Sequence, residues 1–255
     1  MPEQLEFAGQ TALVTGGGGG FGRAISTTLA AGGAHICVVD INADAASATA
    51  KAVTDAGWSA SIHVCDLTDA EAVQQLIGDV VAAHGRLDIA VNNAGIGGAM
   101  VPLGEYPVET WHRVLDINLS SVFYCLRAEL VAMSADGKGG SIINTASIMA
   151  EVAMPTIGPY VATKHAVNGL TKAAAVEYGP HGIRVNAVAP SFSRVGFTAE
   201  SITDDSAWDA MAGQHALGRS ANPQDIAGAV AWLASDASGF VTGDLIKVDG
   251  GFTAV

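Results

Sequence analysis

Short apolar runs rich in β-branched residues alternate along the chain with longer, alanine-rich segments. Several of the runs are apolar at nearly every position, which is typical of strands that are covered on both faces. The runs predict seven strands, at 11–15, 35–40, 59–65, 87–93, 141–147, 183–189 and 245–249. The segments between them have helical periodicity and predict helices at 21–32, 43–56, 69–84, 108–134, 158–179 and 223–235.

This alternation implies right-handed crossovers and a parallel sheet. The expected fold class is α/β, with a single doubly wound (Rossmann) parallel sheet of about seven strands and helices on both faces. No linker or repeat divides the chain, so residues 1–255 are interpreted as one domain. Segment 191–222 breaks the alternation with mixed polarity and leaves the carboxyl edge of the sheet, where open α/β sheets bind ligands. It is therefore a candidate substrate lid.

Composition narrows the classes of partner. The chain has 255 residues, 49% of them hydrophobic, and a formal net charge of −13. That charge disfavours binding to nucleic acid or to an anionic membrane, because phosphates would be repelled. There is no apolar run of membrane-spanning length, the N-terminus lacks an apolar stretch of signal-peptide length, and the three cysteines are widely spaced. We expect buried free thiols, a cytoplasmic protein and no metal in the functional site.

The stretch TGGGGGFG, at 15–22, follows a predicted strand and opens a predicted helix. This position favours a phosphate-binding turn over a flexible linker. A Walker A loop is excluded, since Arg23-Ala24 stands where Lys and Ser/Thr are required. Asp40 ends the second strand twenty residues after Gly20 and can accept hydrogen bonds from an adenosine ribose, so it favours NAD over NADP. The alternative role for Asp40 is a helix N-cap.

A second group of residues carries acid–base chemistry. Tyr160 and Lys164 are spaced i, i+4 and share one face of a helix. A nearby ammonium stabilises a phenolate, so Lys164 is expected to lower the pKa of Tyr160 and make it a proton donor and acceptor. Ser147 ends a strand at the carboxyl edge, where its hydroxyl can hold a substrate oxygen. Taken singly, a Y-x-x-x-K pair occurs often by chance.

Five motifs in order carry a resemblance over nearly the whole chain. They are TGGGGGFG, NNAG at 92–95, Asn118 in DINLSS, Ser147, and YVATK at 160–164, followed by the closing GFVTGDLIKVDGG. Their order and spacing resemble the short-chain dehydrogenase/reductase family, in its compact single-domain branch. The family fingerprint T-G-x-x-x-G-x-G selects Gly16, Gly20 and Gly22, so Gly17 to Gly19 fall at variable positions where glycine is permitted rather than required.

The resemblance implies a role for each matching residue. Tyr160 is the general acid/base, Lys164 lowers its pKa and binds the nicotinamide ribose, Ser147 orients the substrate oxygen, and Asn118 supports a water in a proton relay. The implied cofactor-binding residues are Gly16, Gly20, Phe21, Gly22, Asp40, Ile41, Asp66, Leu67, Asn93, Ala94, Gly95, Tyr160, Lys164, Pro190 and Ser193.

One region departs from the family pattern. The family reads Pro-Gly with a Thr five residues after the Pro, where it binds the nicotinamide carboxamide. Here Ser191 follows Pro190, and Val195 stands at the Thr position. Ser193 and Thr198 are the candidates to replace it. The resemblance also implies a homotetramer.

These observations predict an NAD-dependent oxidoreductase that interconverts a secondary alcohol and its ketone. The alternatives are a 3-oxoacyl-acyl-carrier-protein reductase, a catalytically silent NAD-binding regulatory module, and a structural protein that uses the fold only for assembly. The expected substrate is neutral and apolar. Its pocket is expected from residues 95–99, Ile148, Met149, Met154, Ile157, Phe192 and Phe197, with Glu151 and Arg194 as nearby charges.

Overall fold

Seven parallel strands form one sheet in the computed structural model, which describes residues 7–202 and 204–254. The order across the sheet is β3-β2-β1-β4-β5-β6-β7. The predicted α/β class and doubly wound arrangement are confirmed. The strands are β1 Thr11–Thr15, β2 His35–Asp40, β3 Ala60–Val64, β4 Ile89–Asn92, β5 Gly140–Thr145, β6 Ile183–Pro190 and β7 Leu245–Val248.

Helices cover both faces of the sheet. They are α1 Gly20–Ala31, α2 Ala43–Asp55, α3 Ala70–His84, α4 Val108–Leu115, α5 Ser121–Ala135, α6 Gly158–Tyr178, α7 Gly196–Ser201, α8 Asp205–Ala212 and α9 Pro223–Ala234. The single helix predicted over 108–134 is wrong in one respect: a π-helical turn, Asp116–Ser120, separates α4 from α5. Segment 191–222 contains α7 and α8, which the periodicity did not predict.

Two apolar layers hold the sheet. One lies under α1, α2 and α9, and the other lies under α3, α5 and α6. Strand residues alternate between the layers: Leu13 faces the second and Val14 faces the first, both with no exposed surface. Within the described residues, no helix combines the length and the apolar character needed to cross a membrane.

The chain order reverses between β1 and β4, which are neighbours in the sheet. At such a reversal the loops that leave the carboxyl ends of the strands turn to opposite sides and open a crevice. The glycine turn leaves β1 at this point, and Asn93 to Gly95 leave β4 beside it. The topology thus places the ligand crevice where the glycine-rich turn begins.

A buried polar network crosses the centre of the sheet. The Asn92 amide donates 3.0 Å hydrogen bonds to Glu129 Oε2 and to Asn144 Oδ1, and Asn144 donates to Thr171 Oγ1 at 2.9 Å. Glu129 has no exposed surface, and burial raises the pKa of its carboxyl to about 7. The hydrogen bond from Asn92 acts in the opposite direction and is the smaller effect.

The raised pKa of Glu129 makes stability depend on pH. The folded state holds a proton that the unfolded chain releases, so the free energy of unfolding falls as pH rises from 4.5 to about 7. Over that interval the loss is about 3 kcal/mol. Glu129→Gln, which cannot ionise, is expected to remove this loss. Urea unfolding at about pH 5 and about pH 8 measures it. Glu177→Gln, at an exposed position of α6, is the matched control, and equal pH dependence in all three proteins would contradict the expectation.

Candidate active site

The glycine turn is held in its shape by close backbone contacts. Gly16 has φ +59°, and its backbone lies against Asn93 and Ala94. A Cβ on Gly22 would collide with the carbonyl group of Gly16, and a Cβ on Gly20 would lie 2.5 Å from Val195 Cβ. These two glycines therefore allow the turn to fold back on the start of α1 and let segment 191–222 pack over it.

Two positions expected to be variable also require glycine. A Cβ on Gly17 would lie 2.8 Å from Val38 Cγ1 and 2.9 Å from the Val14 carbonyl oxygen. A Cβ on Gly18 would lie 2.6 Å from Ala45 Cβ. The prediction that glycine is merely permitted there is wrong for these two residues, because α2 and β2 approach the turn more closely than the fingerprint indicates. Gly19 has room for a side chain.

Asp40 lies at the end of β2 beside the glycine turn. Its Oδ2 accepts a 3.0 Å hydrogen bond from the Gly18 amide, and its Oδ1 accepts one of 2.9 Å from the Asn42 amide. The N-cap of α2 is Asn42, whose side chain accepts from Asp44 and Ala45, so the alternative role for Asp40 is wrong. The carboxylate is half-buried and keeps lone pairs for a further donor.

Ser147, Tyr160 and Lys164 lie together in the interior, each less than a tenth exposed. Tyr160 and Lys164 share the inner face of α6, and the Lys164 Nζ lies 5.5 Å from the centre of the Tyr160 ring. Lys164 donates a 2.8 Å hydrogen bond to the carbonyl oxygen of Thr145, at the end of β5. The Ser147 hydroxyl accepts from the Met149 amide at 3.1 Å, which fixes its direction.

Burial dominates the protonation of this group. Burial raises the pKa of Tyr160 to about 12, and a hydrogen bond with Ser147 lowers that pKa by a smaller amount. Burial also lowers the pKa of Lys164 to about 8. In the chain by itself, burial outweighs any lowering of the Tyr160 pKa by Lys164. A phenolate at this position requires an additional positive charge nearby.

Asn118 lies in the π-helical turn between α4 and α5 and is fully buried. Its Oδ1 accepts from the Ile96 amide and its Nδ2 donates to the Ile96 carbonyl, both at 2.8 Å. A Cβ on Gly95 would lie 3.3 Å from Asn118 Oδ1 and 3.7 Å from Lys164 Nζ. Gly95 thus keeps open the space between Asn118 and Lys164.

A cavity of about 990 Å³ joins the glycine turn to these residues. That is the size of a pocket for a large organic ligand. All of the residues expected to bind cofactor line it except Gly22, and of the four expected catalytic residues only Asn118 does not. Most of the residues that were expected to form the substrate pocket also line this cavity. They are Gly95, Ile148, Met149, Met154, Ile157, Phe192 and Phe197, whereas residues 97–99 do not line it.

The two charges expected near the substrate pocket do not line the cavity. Arg194 pairs with Asp205 at 2.8 Å and lies over the Trp208 ring at 5.3 Å. Glu151 pairs with Lys247 at 3.1 Å. The cavity wall instead includes four polar residues of α4 and the turn after it, which sequence reasoning missed because their helix was read as one continuous element. They are Glu109, His112, Arg113 and Asp116.

The region that departs from the family pattern offers one unused hydroxyl. Ser193 lines the cavity and is 2% exposed, and its Oγ has no hydrogen-bond partner among the described residues. The Ser191 hydroxyl lies 2.8 Å from His215 Nε2, while His215 Nδ1 lies 2.9 Å from the Met211 carbonyl oxygen. Because that carbonyl needs a donor, Nδ1 carries the proton and Ser191 donates to Nε2. Ser193 therefore offers a free donor on this side of the cavity, where the other candidate, Thr198, also lines the wall.

Comparisons with known proteins relate the whole chain to one family. The family model described as Enoyl-(Acyl carrier protein) reductase matches residues 17–253. A 2,5-dichloro-2,5-cyclohexadiene-1,4-diol dehydrogenase of Sphingobium indicum is 42% identical over 98% of this chain and 99% of its own. A cis-4-hydroxycyclohexanecarboxylate dehydrogenase of Sinomonas cyclohexanicum is also 42% identical, over 98% of each chain.

Solved structures show the same relationship. Levodione reductase superimposes with a TM-score of 0.94 at 33% identity, over 98% of this chain and 100% of its own. Similar solved structures carry NAD or NADP. The sequence motifs, the sheet order and these matches lead to one conclusion: the chain belongs to the short-chain dehydrogenase/reductase family.

Proposed function

We propose that this protein is an NAD-dependent oxidoreductase that interconverts neutral cyclic secondary alcohols and their ketones. The observation that carries the proposal is the position of Ser147, Tyr160 and Lys164 on the wall of a cavity that also contains the glycine turn. Relatives named for the dehydrogenation of cyclic alcohols support a cyclic substrate: two are named for neutral compounds, and one is named for a hydroxycyclohexanecarboxylate. The single domain 1–255, its lid at about 191–222 and a cytoplasmic location are parts of the same proposal. The three cysteines, all buried and free, fit a reducing compartment.

The chain has a cradle that fits a nicotinamide dinucleotide. The glycine turn begins α1, where backbone amides and the helix dipole favour a pyrophosphate. Asp40 would accept from the adenosine ribose hydroxyls, and Asp66 and Leu67 would flank the adenine. At the other end, the buried and unpartnered Ser193 hydroxyl would donate to the carboxamide. The Ser191 hydroxyl could only accept a hydrogen bond from the carboxamide, because its own proton is donated to His215.

The bound cofactor supplies a hydride acceptor or donor. The chain supplies the proton transfer and the orientation of the substrate. Ser147 would donate a hydrogen bond to the substrate oxygen, and Tyr160 would take the proton of the alcohol or give one to the ketone. Lys164 would hold the cofactor ribose and the ammonium charge beside the phenolate. The space that Gly95 leaves between Lys164 and Asn118 would hold the relay water.

The end of the cavity near Tyr160 favours an apolar substrate. The side chains of Ile148, Met149, Met154, Ile157 and Phe192 form an apolar cluster with Tyr160. The Phe197 ring lies edge-on to the Tyr160 ring, with centroids 5.3 Å apart. Burying a cyclic hydrocarbon here is worth up to about 25 cal/mol per Å² of apolar surface. Besides Lys164, the lysine or arginine that lines the cavity is Arg113, on the α4 side.

The substrate preference is tested by comparing cyclohexanol with its 4-carboxylate under NAD. We expect kcat/KM to be higher for the neutral alcohol, by about tenfold or more, since the cost of burying a carboxylate exceeds its gain from a single partner. Arg113→Ala tests that partner, and Arg194→Ala is the control, because Arg194 is held by Asp205 and Asp209. A preference for the carboxylate that Arg113→Ala abolishes would contradict the neutral substrate class. No turnover of either compound with NAD would instead support the silent regulatory module.

The runner-up substrate is an acyl chain on an acidic carrier protein. The family model's description supports reduction of carrier-bound substrates. The net charge of −13 disfavours such a partner, because two acidic proteins repel each other. Turnover of a 3-oxoacyl carrier protein faster than cyclohexanone would favour this second function.

The assembly is proposed to be a homotetramer. Phe123 and Val131 on α5 and Val176 on α6 are about half exposed or more, and near the carboxyl terminus Phe240 is fully exposed. Exposed apolar side chains on α5 and α6 and near the carboxyl terminus are typical of interfaces between subunits. Light scattering at micromolar concentration is expected to give four times the monomer mass. A monomer mass would overturn the assignment.

A further inference from the structure

Three histidines and a cysteine gather between the edge of the sheet and α3. His35 and Cys37 alternate along β2 and so face the same side. On the neighbouring strand, Ser61 is paired with Cys37 and His63 with Val39, which places both on that side as well. His84 is the last residue of α3, the helix that covers this face. None of these residues lines the large cavity.

The donor atoms of the cluster converge on one point. The ligand atoms of His35, Cys37 and His84 all lie within 4.8 Å of one another. The Ser61 Oγ is 3.1 Å from His35 Nε2, 3.0 Å from His63 Nε2 and 3.6 Å from Cys37 Sγ. A single hydroxyl therefore marks the place where two imidazole nitrogens and a sulfur meet. His35 Nδ1 has its own partner, the Ser59 hydroxyl at 2.6 Å, which can orient the ring.

The protonation of the cluster suits a cation. Burial lowers the pKa of His35, and the nearby His84 and His63 lower it further. Burial and His84 also lower the pKa of His63, against the attraction of Asp79. These effects favour the neutral imidazoles of His35 and His63, which keep a lone pair for a metal ion. Burial raises the pKa of the Cys37 thiol, a cost that a bound dication would offset by stabilising the thiolate.

We propose that His35, Cys37 and His84, with His63 as the fourth ligand, form a binding site for one Zn²⁺ ion. Imidazole and thiolate donors in a tetrahedral set are typical of zinc, with Zn–N of about 2.0–2.1 Å and Zn–S of about 2.3 Å. Binding would draw the ligand atoms of His35, Cys37 and His84 closer than their present separations of up to 4.8 Å and would turn the Ser61 hydroxyl away from the centre of the cluster. Four protein ligands close the site, so the ion would link β2, β3 and the end of α3 rather than take part in the redox reaction.

Zn²⁺ binding is tested on the full chain after removal of metals with a chelator. Calorimetric titration is expected to give one Zn²⁺ per chain with a Kd of about 1 μM or tighter. Co²⁺ as a probe is expected to give a thiolate-to-metal charge-transfer band and the intense visible bands of a tetrahedral site. Saturating Zn²⁺ is expected to raise Tm, because it binds only the folded chain.

Variants connect the binding to these residues. His84→Ala, at a half-buried helix end, is expected to weaken Zn²⁺ binding by about 100-fold or more. His181→Ala, at an exposed histidine elsewhere, is the control, and Ser61→Ala is expected to bind at least as tightly as the wild type. Cys37→Ser is expected to abolish the charge-transfer band, and if it does not fold, the band in the wild type still reports the thiolate. A stoichiometry well below one, equal affinity in His84→Ala, or a Co²⁺ spectrum without the thiolate band would each overturn the proposal.

Discussion

Replacing Tyr160 by Phe is expected to lower kcat by roughly 10²–10⁴-fold, the contribution of a general acid–base group. The substitution keeps the ring, its contact with Phe197 and its burial, and removes only the hydroxyl. That hydroxyl contributes most in the transition state, where the proton moves. Steady-state kinetics with cyclohexanol measures the loss, and calorimetry with NAD is expected to show a Kd within a few-fold of the wild type.

Tyr178→Phe is the matched control, because Tyr178 ends the same helix and does not line the cavity. It is expected to leave kcat unchanged. Retention of about a tenth of the wild-type activity in Tyr160→Phe would show that another group moves the proton. A parallel loss of NAD binding would show that the ring hydroxyl holds the cofactor rather than the substrate oxygen.

Discrimination between NAD and NADP is expected to be the second large effect, with kcat/KM at least about 100-fold higher for NAD. In the proposed cofactor site the Asp40 carboxylate would lie beside a 2′-phosphate, and two like charges about 4 Å apart repel by several kcal/mol at an effective dielectric constant of about 20. Asp40→Ser is expected to relax the preference by raising kcat/KM for NADP. Steady-state kinetics with both cofactors measures it, and equal values in the wild type would contradict the role of Asp40.

Arg23 provides the control for this experiment. Its guanidinium donates to Thr49 on α2 at 3.2 Å, so in the wild type it is held by a neighbouring helix. If Asp40→Ser gains NADP activity because repulsion is removed, the double variant with Arg23→Ala keeps most of the gain. Loss of the gain in the double variant would mean that Arg23 moves to bind the 2′-phosphate.

Local sequence patterns were sufficient to predict most of the fold. Most of the seven strands have apolar cores, and the predicted runs agree with the observed bounds within two residues at each end. The break at Asp116–Ser120 was not predictable in this way, since a π-helical turn inserts one residue into a helix without changing its composition. The helices of 191–222 were missed because the segment lacks a regular apolar stripe.

The candidate site was predictable only where its members are close in sequence or match a motif. Tyr160 and Lys164 are one helical turn apart, so their proximity follows from the spacing alone. The contribution of Arg113 to the cavity wall depends on how α4 packs, and the protonation of Glu129 depends on burial between strand and helix. The histidine and cysteine cluster joins residues up to 49 positions apart, His35 to His84, through strand pairing and helix packing.

The packing of the segment after β6 has a kinetic consequence. Val195 lies against Gly20 in the phosphate-binding turn, while Phe197, two residues later, contacts Tyr160 and packs over Gly97. One short stretch of backbone therefore touches both ends of the cavity. A displacement of this stretch that releases the dinucleotide would also open the end of the cavity that binds the alcohol. We expect a compulsory order of addition, in which the dinucleotide enters first and leaves last, so that its departure limits turnover.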